Sequence, residues 1–284
     1  MLVARSIDHA RRAVAEARAA GQQIAFVPTM GALHAGHTSL IDAARDSSAC
    51  VVVSIYVNPT QFGPNEDFTI YPRTFEADSE AAMRAGTHLL FAPSDREIYP
   101  EGDQTRVHPG PLAEKLCGPY RPGHFEGVCT VVAKLFNIIQ PDIAYFGQKD
   151  AQQALIIQRM VEDLRMPVRI IVCPTVRDPD GLAMSSRNAR LAPKDRAMAL
   201  SLYKSLCLAR DRLIAGENSL GRIIAAMRST IGEHAEIRVD YLSIVDAATL
   251  ETPLTPAGRL LIAGAIRIGR TRLIDNLVVD LPTA

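Results

Sequence analysis

The sequence lacks several features that point to whole classes of protein. It has no tryptophan and only 5% aromatic residues, and no apolar run approaches the length of a membrane span. Lysine plus arginine equals aspartate plus glutamate, at 31 each. Because a nucleic-acid surface normally gives a basic excess, this balance argues against nucleic acid as a partner. We therefore expect a globular protein that acts on small molecules and binds neither nucleic acid nor a membrane.

Paired cysteines and a dinucleotide fingerprint are absent as well. The five cysteines lie far apart and form no C-x-x-C motif, which argues against a zinc site or a disulfide framework. No G-x-G-x-x-G follows the first strand-like run, so a dehydrogenase is excluded. The N-terminus runs into an alanine- and arginine-rich amphipathic segment without the apolar core of a secretory signal. We expect reduced thiols and a cytoplasmic location.

What the sequence does have is an alternation of short apolar runs with helical periodicity. Strand-like runs at 24–27, 50–57, 87–91, 142–145 and 168–172 alternate with helical patterns at 6–20, 37–47, 74–85, 125–139 and 150–164. The alternation predicts an α/β fold, a Rossmann-like, doubly wound and mostly parallel sheet with helices on both faces. The length of the chain allows two domains, which we place at 1–175 and 176–284.

The C-terminal part has a different pattern. Helical patterns near 193–215 and 219–232 precede three strand-like runs at 238–245, 259–268 and 271–279. A tight turn of the type Ile-Gly-Arg-Thr separates the last two runs, which is typical of a hairpin. This order predicts a smaller C-terminal α+β domain, which we expect to cover the site carried by the first.

The most informative stretch is residues 26–41, where a strand passes through a Pro-Thr-Met-Gly turn into a helix. The turn ends in His34-Ala35-Gly36-His37. The first N–H groups of a helix have no partner within it and its dipole favours negative charge, so this position suits an anion. A lone histidine pair is more often a surface or capping feature, but the succession of strand, turn and helix favours a nucleotide site.

Other polar segments follow the predicted strands. Lys149 comes directly after a strand end, and Ser185-Ser186-Arg187 lies on a loop at the domain junction. Serine and arginine suit phosphate oxygens, since serine donates one hydrogen bond and arginine a fork of them. Each segment alone is more often a solvated charge or turn, but the position of Lys149 at the carboxyl end of a strand favours a phosphate contact.

Several longer motifs occur in one order along almost the whole chain. They are PTMGALHAGH at 28–37, NPTQF at 58–62, YPRT at 71–74, RPGHF at 121–125, FGQKDAQQ at 146–153, DGLAMSSRN at 180–188 and TRLIDN at 271–276. Together they resemble the pantothenate synthetase (pantoate–β-alanine ligase) family, one of the His-x-Gly-His nucleotidyltransferases.

The resemblance implies an activity and a set of ligands. The family makes pantoyl adenylate and pyrophosphate from ATP and pantoate, and β-alanine then displaces AMP to give pantothenate. ATP is a substrate, Mg²⁺ bridges its phosphate oxygens, and the family's members are usually homodimers. Two alternatives stay open: a His-x-Gly-His adenylyltransferase acting on another small acid or phosphate, and a catalytically silent RNA-binding relative.

The resemblance also implies roles for individual residues. Pantoate is assigned to Gln61 and Gln153, and β-alanine to Gln61. The expected catalytic residues are His34, His37, Lys149, Ser185, Ser186 and Arg187. The expected ATP-binding residues are Met30, Gly31, Ala32, Leu33, His34, Ala35, Gly36, His37, Gly147, Gln148, Lys149, Asp150, Val176, Met184, Ser185, Ser186 and Arg187.

Two positions stand apart from this assignment. Cys117 occupies a place where the resemblance leads us to expect glutamate, while Gln148 is an ordinary variant. The protein ligands of Mg²⁺ are undetermined. Asp78 is a candidate, but a solvated helix residue is at least as good an interpretation.

Overall fold

The computed structural model describes residues 1–47, 50–64, 66–232 and 234–282. Contacts between Cα atoms divide the chain into two compact units. The first comprises residues 1–113, 121–148 and 153–176, and the second comprises 114–120, 149–152 and 177–284. The largest segment of the second unit begins at residue 177, and its two shorter segments lie within the range that we assigned to the first domain.

The first unit is built on a six-stranded parallel sheet. Its strands are β1 (Leu2–Ala4), β2 (Ile24–Thr29), β3 (Cys50–Ile55), β4 (Leu89–Phe91), β5 (Ile143–Gly147) and β6 (Arg169–Cys173). Their spatial order is β1-β4-β3-β2-β5-β6. The chain therefore runs outward from β2 on one side and then crosses to β5 on the other. Such a reversal leaves a crevice beyond the carboxyl ends of the strands, where ligands bind in folds of this kind.

Helices cover both faces of this sheet. They are α1 (Ile7–Ala19), α2 (Ala35–Asp46), α3 (Phe75–Arg84), α4 (Asp95–Ile98), α5 (His124–Ile139) and α6 (Ala151–Asp163). On one face Ala25 and Val27 of β2 share a core with Leu40 and Ile41 of α2. On the other face the ring of Phe26 meets that of Phe136 on α5, with centroids 6.4 Å apart. Alternate residues of one strand thus pack against helices on opposite faces of the sheet, which confirms the predicted doubly wound sheet.

Two short elements of this unit were not predicted. Strand β1 has three residues and pairs with β4 in the register Val3↔Leu90, and α4 has four residues. A periodicity cannot be detected over so few positions. Both elements take their conformation from neighbours distant in the chain, as when Ile7 N donates to a Glu97 carboxylate oxygen at 2.7 Å.

The second unit combines two helices with an antiparallel sheet, as predicted. The helices are α7 (Pro193–Ile214) and α8 (Leu220–Gly232), and the strands are β7 (Ile237–Asp246), β8 (Arg259–Ile268) and β9 (Thr271–Asp280). Buried apolar side chains of both helices and all three strands form one core, which includes Leu206, Ile223, Ile244 and Ile262. Among the described residues no helix is long and apolar enough to cross a lipid bilayer.

Candidate active site

Two imidazole rings form a reciprocal cap at the start of α2. His34 is the N-cap residue, and its Nδ1 accepts a hydrogen bond from Gly36 N at 3.1 Å. His37 lies one turn on, and its Nδ1 accepts from His34 N at 3.3 Å. The ring centroids are 4.1 Å apart. The arrangement has the form of a capping box, with histidines in the places that serine or threonine and glutamate usually take.

These bonds determine where each neutral ring carries its proton. A ring nitrogen that accepts from a backbone N–H carries no proton, so in neutral His34 and His37 the proton lies on Nε2. Our expectation that the bare N–H groups of the helix start would bind an anion is therefore wrong for His34 and Gly36. Their N–H groups donate to the Nδ1 atoms of the two rings.

The turn before α2 is held by side chains of the same unit. Gly31 N donates to Thr29 Oγ1 at 3.1 Å. Ala32 N and Leu33 N donate to the two carboxylate oxygens of Asp78, at 2.9 Å and 2.7 Å. Asp78 is only 3% exposed, so its interpretation as a solvated helix residue is wrong. Neither sequence interpretation anticipated its partners, which are main-chain groups about 45 residues away in the chain.

Gln61 follows β3 in a short 3-10 helix and lies beside the turn after β2. It is buried, and its Nε2 donates to Met30 Sδ at 3.2 Å. Asn58 Nδ2 donates to Gln61 Oε1 at 3.1 Å, which fixes the orientation of the amide. Asn58 Oδ1 in turn accepts from Tyr99 Oη at 2.8 Å. The structure thus joins Met30 and Gln61, and it adds Asn58 and Tyr99, whose part in the site the sequence did not reveal.

The backbone at Gln61 is clamped by α5 and the residues just before it. The carbonyl oxygen of Gln61 accepts from His124 Nδ1 at 2.8 Å and from Arg121 Nη2 at 3.2 Å. Arg121 also donates from Nε to Glu66 Oε1 at 2.7 Å. Burial opposes ionisation of Glu66, but the hydrogen bond and charge of Arg121 prevail and hold the pKa of this carboxyl below its usual range. A Cβ at Gly127 would lie 2.4 Å from Thr60 O, so only glycine permits this approach.

Lys149 and its surroundings lie in the second unit. Its Nζ is 3.6 Å from Asp150 Oδ2, and its side chain is 19% exposed. The carbonyl oxygen of Lys149 accepts from Asn276 Nδ2 at 2.9 Å. Asn276 is buried in β9, so a strand of the C-terminal sheet positions the backbone of this lysine.

The Ser-Ser-Arg segment starts a 3-10 helix, Ser186–Arg190, in the second unit. Ser185 is its N-cap residue, and its Oγ accepts from Arg187 N at 3.3 Å. Asn188 Nδ2 donates to Ala183 O at 3.0 Å, which ties this helix to the residues before it. The loop is therefore structured by its own capping bonds.

The residues leading into this loop are attached to β9. Arg177 forms an isolated bridge with Ala183 and donates to both carboxylate oxygens of Asp275, at 2.6 Å and 2.9 Å. Asp275 is next to Asn276, which holds Lys149. Two adjacent residues of one strand thus organise both segments that we expected to contact phosphate. The TRLIDN motif contains them, but its sequence gave no indication of this role.

The remaining predicted site residues are distributed over both units. Gly147 ends β5, Gln148 follows it, Gln153 is the third residue of α6 and Val176 lies beyond β6. These four belong to the first unit, together with the histidine motif and Gln61, whereas Lys149, Asp150 and residues 184–187 belong to the second. Within the described ranges, no three side chains of the types His, Cys, Asp and Glu form a group that could hold a metal ion.

A family model for pantoate-beta-alanine ligase matches residues 2–278. The chain belongs to the pantoate-beta-alanine ligase family. A curated relative from Moorella thermoacetica, named pantothenate synthetase, is 53% identical over 281 residues and covers 99% of both chains. The family assignment thus applies to both units.

Solved structures of the family have the same fold. Pantothenate synthetase from Thermus thermophilus matches with a TM-score of 0.91 and 44% identity, covering 98% of this chain and 99% of the other. Pantoate-beta-alanine ligase from Francisella tularensis, complexed with beta-gamma ATP and beta-alanine, matches with a TM-score of 0.78 and 36% identity, covering 98% and 97%. The α/β sheet and the small antiparallel sheet are therefore the family's architecture.

Cys117, the departure we noted from the family's sequence, belongs to a buried polar cluster of the second unit. Its Sγ lies 3.3 Å from Tyr241 Oη and 3.5 Å from Arg272 Nη2. Arg272 Nε donates to Asp240 Oδ2 at 2.8 Å, and Arg267 Nε donates to Asp240 Oδ1 at 3.0 Å. Asp240 is thus shared between two guanidinium groups, and the thiol of Cys117 contacts one of them.

Proposed function

We propose that this protein condenses pantoate with β-alanine to form pantothenate, consuming ATP and releasing AMP and pyrophosphate through a pantoyl-adenylate intermediate. The observation that carries the proposal is the family match over residues 2–278, which includes every candidate site residue. The Francisella tularensis ligase, complexed with beta-gamma ATP and beta-alanine, supports two of the substrates.

In the first step a carboxylate oxygen of pantoate attacks the α-phosphorus of ATP. A new phosphorus–oxygen bond forms, the bond to the bridging oxygen breaks, and pyrophosphate leaves. Such a step requires alignment of the reactants and neutralisation of phosphate charge. The Nε2–H groups of His34 and His37 supply hydrogen bonds to phosphate oxygens, and we assign His37 to the leaving group. No covalent intermediate with the protein is needed.

Gln61 suits pantoate because its amide is already oriented. Asn58 donates to Oε1, so the Nε2 donor of Gln61 points to Met30 Sδ. A thioether is a weak acceptor. Replacing it by a carboxylate or hydroxyl oxygen of pantoate gains a stronger bond without moving the side chain. Gln153 supplies the second pantoate contact in this assignment.

Lys149, Ser185, Ser186 and Arg187 are proposed to bind the phosphates of ATP. An ammonium, two hydroxyls and a guanidinium match the oxygens of a triphosphate. We propose that Mg²⁺ enters with the nucleotide as part of the substrate. The described residues gather no acidic cluster for a resident ion, and the oxygens of Asp78 already accept main-chain bonds.

In the second step the amine of β-alanine attacks the acyl carbon of pantoyl adenylate. The carbon–nitrogen bond forms, the carbon–oxygen bond to AMP breaks, and the amine loses a proton. Gln61 is proposed to lie near β-alanine as well as pantoate. The attacking amine must be neutral, so this half-reaction is expected to slow at acidic pH.

Two further properties belong to the proposal. We infer a homodimer, which light scattering tests as a mass of about twice the 30.9 kDa of the chain. We also infer a cytoplasmic location. The five cysteines are present as thiols, which suits a reducing compartment.

The decisive experiment incubates the protein with ATP, Mg²⁺ and D-pantoate, with and without β-alanine. We expect pyrophosphate release with pantoate alone, and AMP plus pantothenate once β-alanine is added. Pyrophosphate release that did not depend on pantoate would overturn the proposal and favour an adenylyltransferase with another acceptor.

A further inference from the structure

Asp78 is a buried carboxylate with three donors and no assigned role. It lies in the first turn of α3 and is 3% exposed. Its Oδ1 accepts from Leu33 N at 2.7 Å, and its Oδ2 accepts from Ala32 N at 2.9 Å and from Thr74 Oγ1 at 3.1 Å. Bonds to an ionised acceptor are roughly twice as strong as bonds between neutral groups. The carboxylate is therefore a strong attachment point for the turn after β2.

The turn needs such an attachment because its backbone is strained. Gly31 and Ala32 are both in the left-handed region, with φ of +81° and +50°. A residue with a Cβ adopts this conformation at a cost of about 1–2 kcal/mol. Asp78 accepts from Ala32 N and from the residue after it, so its two bonds span the strained position.

Close packing around Gly31 leaves the backbone of this turn little room for another conformation. A Cβ at Gly31 would lie 2.9 Å from Asp78 Oδ2 and 3.0 Å from Ile55 Cγ2. Thr74, the N-cap residue of α3, makes no capping bond with its side chain. Its hydroxyl donates to Asp78 instead. The start of α3 is thus organised around the carboxylate, and through it around the turn.

We propose that Asp78 is a positioning residue for ATP. It fixes residues 31–33, which places His34 at the N-cap of α2. The Nε2–H groups of His34 and His37 are then directed to the nucleotide. The inference rests on the proposed function, because it assigns Asp78 to the nucleotide part of the same site. It predicts that loss of the carboxylate weakens the binding of ATP far more than the binding of pantoate, since Gln61 is held by separate bonds from Asn58 and His124.

The first test compares Asp78→Asn with Asp42→Asn. The asparagine has nearly the same shape, but either orientation of its amide turns an NH₂ group toward a donor and loses at least one bond. Asp42 is a matched control on α2, with 47% of its side chain exposed and a partner in Arg45. We expect Asp78→Asn to raise the KM for ATP about 10- to 100-fold, with the KM for pantoate within about threefold of wild type.

Hydrogen exchange provides a readout independent of activity. The amides of Ala32 and Leu33 are expected to exchange at least about tenfold faster in Asp78→Asn than in wild type, because their acceptor is weakened or lost. The same amides in Asp42→Asn are expected to retain wild-type rates. Unchanged exchange at both amides would overturn the inference even if the enzyme proved to have a different substrate.

A milder variant keeps the test informative if Asp78→Asn does not fold. Thr74→Val removes one donor and leaves the carboxylate in place, and we expect the KM for ATP to rise about threefold. A loss of kcat with ATP and pantoate KM both unchanged would indicate a purely structural role and overturn the inference. If wild type itself lacks pantoate-dependent pyrophosphate release, the proposed function fails, and the exchange experiment still decides whether Asp78 holds the turn.

Discussion

At the scale of single residues, His34 and His37 each make a capping bond and each have a proposed chemical role. Nδ1 of each ring accepts a backbone N–H, and Nε2 carries the proton. An alanine at either position would remove the capping bond and the chemical role together. Separating them requires a substitution that preserves the cap but not the imidazole.

His37→Gln is such a substitution, because glutamine at the third position of a helix is an ordinary capping-box partner. We expect it to keep thermal stability close to wild type while single-turnover pyrophosphate release falls about 10²- to 10³-fold at saturating ATP and pantoate. His37→Ala should show a similar rate and also lose about 1 kcal/mol of stability. Quench-flow and thermal denaturation measure the two effects, and a normal burst in His37→Gln would refute the assigned role.

At Gln61 a substitution can likewise keep the size of the side chain while removing its hydrogen-bond donor. Gln61→Glu keeps the size and can still accept from Asn58 Nδ2, but it has no Nε2 donor and adds a charge that repels the pantoate carboxylate. We expect the KM for pantoate to rise about 10- to 100-fold in Gln61→Glu and in Gln61→Ala, while the KM for ATP changes little. Steady-state kinetics with each substrate varied in turn measure this. A variant that raised only the KM for ATP would contradict the assignment of Gln61 to pantoate.

At the scale of elements, the clamp between α5 and the loop after β3 makes stability depend on pH. Glu66 has a lowered pKa in the folded protein, so the folded state binds fewer protons than the unfolded state. The stabilisation is fully present above the ordinary value of 4.5 and is lost as the pH falls through the folded value. We expect Glu66→Gln to lower stability by about 1–3 kcal/mol at pH 7, because Arg121 loses a charged partner. The difference from wild type should shrink below pH 4.5.

Urea denaturation across this pH range measures the effect. Glu80→Gln is the control, since Glu80 and its partner Arg84 are both at least 65% exposed and such pairs contribute little. A constant difference between Glu66→Gln and wild type from pH 3 to 8 would show that the carboxylate is not the titrating group.

Strand β9 offers a matched pair of carboxylates in the second unit. Asp275 is buried and paired with Arg177 through two bonds, whereas Asp280 is 71% exposed and lies 3.8 Å from Arg259. We expect Asp275→Ala to lower the free energy of unfolding by about 3–5 kcal/mol, because it leaves the Arg177 charge poorly compensated. Asp280→Ala should cost less than about 1 kcal/mol. Circular dichroism during denaturation measures both, and equal costs would contradict the role given to Asp275.

The elements also show what a sequence can and cannot reveal. Continuous apolar runs such as that of β3 follow directly from burial on both faces of a parallel sheet, so their positions were predictable. Strand β1 was missed because its three residues carry no period. Asp78 was misinterpreted because its partners are backbone N–H groups in a turn far along the chain. Gln61 was assigned only through family resemblance, since its orientation depends on Asn58 and its clamp on α5.

At the scale of the whole molecule, charge distinguishes the proposed ligase from an RNA-binding relative. The chain has a formal net charge of zero, with 31 basic and 31 acidic residues. Binding to RNA is driven largely by release of counterions and needs many basic contacts, so its affinity falls steeply with salt. Binding of ATP needs only a few local donors, which a balanced chain can provide.

This difference predicts the outcome of a thermal-shift experiment with the intact chain. ATP with Mg²⁺ at about 100 times its Kd should add about 2.7 kcal/mol of stability, which raises Tm by several degrees for a chain of this size. Adding pantoate should raise it further, while tRNA should leave Tm unchanged at low and at moderate salt. A shift produced by tRNA that disappears with added salt, with none from ATP, would instead support an RNA-binding relative, because only counterion release has that salt dependence.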